Sequence, residues 1–131
     1  MANAVAAAGP TGRDGSAAAT AARATTVLYV HNGGHWIRGS ERCLLDLLAG
    51  VDRARFRPVL WCNGDGLAAA AADLGVSVER YDGAGAVAEA RLPPARLVRE
   101  ARALIARYDV GLVHANDMVP VKWLLPAARS A

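Results

Sequence analysis

An α/β fold, a parallel sheet with helices on both faces, is predicted by three observations. Short aliphatic runs alternate with stretches of helical spacing, the runs stop at clusters rich in glycine and asparagine, and 53% of the 131 residues are hydrophobic with few aromatics among them. Strand, helix, strand, helix, strand, helix, strand is an order that forces parallel strands joined by right-handed crossovers. In the usual doubly wound arrangement the strands line up 3-2-1-4, which puts a switch point between the first and fourth strands and any ligand at their carboxyl ends.

The first strand is read from Val27-Leu28-Tyr29-Val30, which ends at the polar and glycine-rich His31-Asn32-Gly33-Gly34. Leu44, Leu47, Leu48 and Val51 then recur at helical spacing, with Glu41 in the first turn, where the helix dipole favours a negative charge. Arg57-Pro58 leads into Val59-Leu60-Trp61-Cys62, a second buried strand stopped by Asn63-Gly64-Asp65-Gly66. An Ala-rich helix follows over 67–74, with Gly75 placed to cap its end. Val76, Val78 and Arg80 alternate with Ser77, Glu79 and Tyr81, the period of an edge strand with one wetter face. Beyond a Gly/Ala-rich linker over 83–91, Pro93-Pro94 start a long helix whose Leu97, Val98, Ala101, Leu104, Ile105 and Tyr108 form one apolar stripe. Val110, Leu112 and Val113 make the fourth strand, and the apolar segment after His114-Ala115-Asn116-Asp117 is expected to break at Pro120 and Pro126. The organisation expected is a flexible Ala/Gly-rich leader over 1–24 and one partial domain over 25–131.

Charge and cysteines narrow the function classes. The net charge is +3, and the fifteen basic residues are interleaved with twelve acidic ones, so no nucleic-acid arm is present and no nucleic-acid partner is expected. Cys43 and Cys62 have no spaced partners that would suggest zinc, and both are read as reduced core thiols. The leader lacks the apolar run of a secretory signal, no stretch approaches the length of a membrane span, and a cytoplasmic location follows by elimination. Arg96, Arg99, Arg102 and Arg107 lie outside the stripe of the long helix. They read as a solvated face, with association with an anionic membrane surface as the alternative.

The residues able to carry chemistry collect at the expected carboxyl ends. The loop from 31 to 40 joins a buried strand to a helix amino terminus, where free N–H groups and the dipole attract phosphate, and Gly39 would let a diphosphate approach the backbone. The competing reading is that Gly39 only permits a turn and Ser40 only caps the helix. Neither the dinucleotide fingerprint nor a Walker lysine is present, so no NAD or ATP cofactor is expected. His31 and His35 read as loop histidines and not as metal ligands. His114, with Asn116 and Asp117 beside it, faces the same crevice and is either a sugar- or acceptor-binding group or a satisfied histidine at a strand end.

Taken in order, Val27-Leu28-Tyr29-Val30-His31-Asn32 and Arg38-Gly39-Ser40-Glu41-Arg42, running into Leu44-Leu45-Asp46-Leu47-Leu48, resemble the opening of the GT-B glycosyltransferases of family 4. The likeness continues through Phe56-Arg57-Pro58-Val59, Gly64-Asp65-Gly66, Leu74-Gly75-Val76-Ser77-Val78 and Asp109-Val110-Gly111-Leu112-Val113-His114-Ala115-Asn116. It covers roughly residues 25 to 125. It implies the amino-terminal, acceptor-side half of a GT-B fold, from a family that transfers a sugar from a nucleotide-diphosphate sugar donor to an acceptor, mostly without a metal. By that resemblance Arg38, Gly39 and Ser40 approach the donor phosphates, Asn116 lines the sugar side, and His114 is the candidate catalytic residue. Arg38 stands where the family usually has a glycine, and Asn116 where many members have the second histidine of a His-x-His pair. The family's nucleotide-gripping second domain and the later strands of the first domain have no counterpart here, so the resemblance implies a truncated half-domain, inactive alone. Two alternatives remain: a noncatalytic subunit that pairs with a separate donor-binding chain through an exposed patch at Trp123, Leu124 and Leu125, or a generic nucleotide-binding module.

Overall fold

The computed structural model describes residues 23–82 and 91–131. The expected leader, save 23 and 24, and the expected linker, save 91, lie outside them. Four parallel strands, β1 (Thr25–His31), β2 (Phe56–Cys62), β3 (Ser77–Arg80) and β4 (Val110–Ala115), form one sheet in the order β3-β2-β1-β4. Among the described residues four helices connect or follow them: α1 (Gly39–Gly50), α2 (Asp65–Asp73), α3 (Ala95–Tyr108) and α4 (Val121–Ala128). The fold is α/β and Rossmann-like, with the predicted strand order.

Strand alternation divides the core in two. Val27, Tyr29, Leu60 and Cys62 face α1 and α2, whereas Leu28, Val30, Val59 and Trp61 face α3 and α4. Both central strands are therefore apolar on both faces, as a covered parallel sheet requires. On α1 the buried positions are Glu41, Leu44, Leu45 and Leu48, the i, i+3, i+4, i+7 pattern of one helix face. Leu47, expected on that face, is instead exposed. Gly75 ends α2 with φ +71°, a left-handed conformation that glycine adopts without steric cost.

Several expectations are corrected. α4 runs through Pro126 instead of breaking there. The proline forfeits one backbone bond in a short helix, and the burial of Trp123, Leu124 and Ala127 on its inner face offsets that loss. For the same reason Trp123 and Leu124 form no interface: both are buried, and of the three expected patch residues only Leu125 is exposed. Trp123 stands nearly perpendicular to Trp61 and Tyr81, with centroids 6.4 and 5.7 Å apart, in an edge-to-face aromatic cluster. Tyr81, expected on a wet face, belongs to that cluster and is buried, because the chain leaves the strand after Arg80. Cys62 is a buried free thiol as expected, but Cys43 is exposed.

Candidate functional site

The carboxyl ends of all four strands converge on the segment that follows β1. His31, the last residue of β1, alternates inward with Val27 and Tyr29 and is 2% exposed. Its Nε2 lies 2.8 Å from Glu41 Oε1 on α1, and its Nδ1 lies 3.2 Å from Asp117 Oδ2 beyond β4. The Asn32 N–H donates to Asp117 Oδ2 at 2.9 Å. The Gly33 N–H donates to Asn63 Oδ1 beyond β2 at 2.9 Å, and Asn63 Nδ2 donates back to the Gly33 carbonyl at 2.8 Å. The Tyr81 hydroxyl, just past β3, sits 3.0 Å from both the His31 carbonyl and Asn32 Oδ1. A Cβ on Gly33 would lie 2.6 Å from Glu41 Oε1 and from His31 Nε2, so only glycine lets the chain pass there.

Two carboxylates thus hold one imidazole. Burial opposes a charge on His31, but its bonds to Asp117 and Glu41 outweigh burial and raise its pKa. Burial likewise opposes ionisation of Glu41, yet bonds from His31, from the backbone N–H groups of Glu41 and Arg38 and from the Ser40 hydroxyl bring its pKa down to about 2. Asp117 is also lowered: burial opposes ionisation, and His31 with the Asn32 and Val119 N–H groups prevails. Asn116 joins the two sides of the crevice, its Nδ2 lying 3.1 Å from His31 Nδ1 and 3.2 Å from the Ser40 carbonyl. Both ring nitrogens of His31 are occupied and the ring is buried. Its bonds tie the end of β1 to the start of α1 and to the segment beyond β4.

The expected site residues fall into two groups. Arg38, Gly39, Ser40 and Asn116 come together: a pocket of about 310 Å³ is lined by Gly34, Trp36, Arg38, Ser40 and Glu41, and Asn116 reaches the Ser40 carbonyl behind it. His114 lies within β4, its ring 5.1 Å from that of Tyr29, and among the described residues no bond joins it to this framework. The loop is shorter than expected, because His31 belongs to β1 and Gly39 already to α1. Ser40 does not cap α1. Arg38 occupies the N-cap position, and Glu41 takes the Arg38 N–H at 3.1 Å and the Ser40 hydroxyl at 3.0 Å, so the glutamate supplies the cap. A Cβ on Gly39 would meet nothing within 4 Å, which leaves the approach to the first helical N–H groups open. Arg38 and Trp36 are both exposed, Trp36 at 73%.

Sequence reasoning passed over His31, Glu41, Asn63 and Tyr81 as parts of one framework. A signal existed: β1, β2 and β4 are each followed within two residues by an asparagine, and side-chain amides at strand ends bind loop backbone readily. Among the described residues no group of three or more His, Cys, Asp and Glu is arranged to hold a metal ion, and no helix is long and apolar enough to cross a membrane. No family model matches the chain, and no curated protein and no solved structure matches it either.

Proposed function

We propose that this chain is the acceptor-side, amino-terminal half of a glycosyltransferase of the GT-B, family 4 type, binding the diphosphate of a nucleotide sugar at the turn Arg38-Gly39-Ser40. The observation that carries this reading is the meeting of the two segments of the resemblance: Asn116 Nδ2 lies 3.2 Å from the Ser40 carbonyl, and Ser40 and Arg38 both line a pocket. A phosphate at that position gains the Arg38 guanidinium and the positive end of α1. The same groups would stabilise the charge that develops on a departing diphosphate. In this reading the nucleotide itself is gripped by a second domain, within the same polypeptide or on a separate donor-binding chain, and transfer needs both. Among the described residues β4 pairs only with β1, carries no charged residue and leaves Leu112 54% exposed. Such an edge favours completion by further strands.

Gly39→Leu tests the proposal without disturbing the fold, since its side chain would enter open space. Saturation-transfer NMR on the wild type with UDP-glucose and GDP-mannose is expected to show contact, stronger than with NAD, that Gly39→Leu and Arg38→Ala abolish. Equal contact with NAD would move the assignment to a generic nucleotide-binding module. Absence of contact with either nucleotide sugar at millimolar concentration would remove the donor site altogether.

A further inference from the structure

His31 Nδ1 faces two groups that cannot both use it in one protonation state. Asp117 Oδ2, an acceptor, lies 3.2 Å away, and Asn116 Nδ2, a donor, lies 3.1 Å away. The Asn116 amide is oriented by its other neighbour: the Ser40 carbonyl, 3.2 Å from the same nitrogen, can only accept, so Nδ2 and not Oδ1 belongs there. A protonated Nδ1 donates to Asp117 and confronts the Asn116 amide as a second donor. An unprotonated Nδ1 accepts from Asn116 and confronts Asp117 as a second acceptor. On the far side of the ring Nε2 donates to Glu41 Oε1 at 2.8 Å.

Which proton leaves a charged His31 follows from what each carboxylate keeps. Loss from Nε2 would strand Glu41 Oε1, on a side chain 6% exposed, because the Arg38 N–H and the Ser40 hydroxyl both go to Oε2. Loss from Nδ1 leaves Asp117, 24% exposed, with the Asn32 and Val119 N–H groups and access to water, and it gives Nδ1 a donor in Asn116. An unanswered oxygen on a buried carboxylate is the costlier outcome, so the Nδ1 proton leaves first. The other titratable groups around the ring, among the described residues, do not change that order. Cys62, beside His31 on β2, has its pKa pushed up to about 11 by burial, and the Tyr81 phenol beyond β3 is likewise raised by burial, so both are neutral. Arg38 and Arg42 at the start of α1 are exposed, as is Asp65 of α2, which Arg80 engages. His114 of β4 packs its ring on Tyr29, and α3 and α4 cover the opposite face of the sheet.

We infer that His31 is a proton-operated switch between two tethers: protonated on both nitrogens it holds Asp117, and with the Nδ1 proton gone it releases Asp117 and takes the Asn116 amide, drawing the end of β4 onto Ser40 at the wall of the Arg38–Ser40 pocket. Burial opposes the charged form, but the bonds to Asp117 and Glu41 outweigh it, so that form persists above the ordinary 6.5 and gives way as pH rises through the raised folded value. The switch belongs to the pocket wall whatever the pocket binds, and so stands apart from the sugar-transfer reading.

Long-range proton–nitrogen NMR of the full chain, labelled with nitrogen-15 histidine, reads both ring nitrogens across a pH titration, and His35→Gln and His114→Gln identify the signals of the other two histidines. His31 is expected to carry both protons below its midpoint and, above it, to be neutral with the proton on Nε2. Asn116→Ala removes the donor that answers a bare Nδ1 and should lower the acid dissociation constant of His31 about fivefold, moving the midpoint to higher pH. Asp117→Asn removes the charge that favours the doubly protonated ring and should raise that constant about tenfold, moving the midpoint to lower pH. A merely structural Asn116 would alter the thermal melt and leave the midpoint in place. Neutral His31 with its proton on Nδ1 would overturn the inference, as would a midpoint that folded Asn116→Ala or folded Asp117→Asn leaves unmoved. The wild-type tautomer is read without any substitution, so the decision does not hang on whether either variant folds.

Discussion

Replacing Glu41 by alanine removes a carboxylate that is 5% exposed and answers three groups: the His31 ring at 2.8 Å, the Arg38 N–H at 3.1 Å and the Ser40 hydroxyl at 3.0 Å. Two independent routes give the size of the loss. Removing one partner of a buried ionic pair costs about 3–5 kcal/mol. A carboxyl with an ordinary value of 4.5 that titrates near 2 in the fold contributes on the order of 3 kcal/mol at neutral pH. These are one interaction seen from two sides and are not added. His31 can shed its Nε2 proton and keep the Nδ1–H bond to Asp117, which places the expected loss at the low end, about 3 kcal/mol. That is a large part of the ~5–15 kcal/mol that stabilises a domain. Urea unfolding at neutral pH, followed through the fluorescence of the buried Trp61 and Trp123, measures it. The pH dependence supplies a second reading with a definite sign. Because the folded pKa of Glu41 is depressed, its contribution is present above 4.5 and is lost as pH falls through about 2. The raised pKa of His31 works oppositely: its contribution is complete below 6.5 and disappears as pH rises through the folded value. Glu41→Ala should flatten both slopes, and Glu41→Gln, which keeps an acceptor for the Arg38 N–H, should lose less than alanine does. A loss under about 1 kcal/mol for alanine, with unchanged acid sensitivity, would refute the view that this ionic framework holds the loop.

Two further predictions probe the same architecture. Gly33→Ala puts a methyl 2.6 Å from Glu41 Oε1 and His31 Nε2, and is expected to cost about 1–3 kcal/mol in urea unfolding; an unchanged midpoint would mean that the loop relaxes freely. The two thiols should separate in a disulfide-exchange assay. Exposed Cys43 reacts in the folded protein, whereas Cys62, buried and with its pKa pushed up to about 11 by burial, reacts only on unfolding. Equal reaction of both thiols in native conditions would refute the placement of Cys62 on the inner face of β2.

The sheet was legible because its signals are local and redundant. Each of β1 and β2 is a run of aliphatic residues closed by an asparagine-glycine cluster, and the alternation with helices leaves few ways of arranging parallel strands. The end of the chain was read less well because a single residue type outweighed a pattern. Pro120, Trp123, Leu124 and Ala127 are spaced i, i+3, i+4, i+7 and are all buried, the same face geometry as in α1. Pro126 hid that pattern, since an internal proline usually argues against a helix. With a break at Pro126, Trp123 and Leu124 have no core to enter and read as an exposed patch.

The ionic framework was hidden for a different reason. Read by period, both of its central members sit at core positions: His31 continues the inward series Val27, Tyr29, and Glu41 heads the buried series Leu44, Leu45, Leu48. Each polar residue alone reads as the point where an apolar pattern stops, which points His31 to a loop and Glu41 to the helix dipole. Only the two together make sense, because a histidine at the end of an inward strand face and a glutamate at the start of an inward helix face meet when strand and helix pack in parallel-sheet geometry. A lone buried charge would cost several kcal/mol (on the order of that magnitude per ion), so a polar residue on a core register calls for a second of opposite sign on the facing element. Applied to this chain, that search leads from His31 to Glu41 and then to Asp117, and it ends at the wall of the Arg38–Ser40 pocket, whose geometry depends on the three remaining bound.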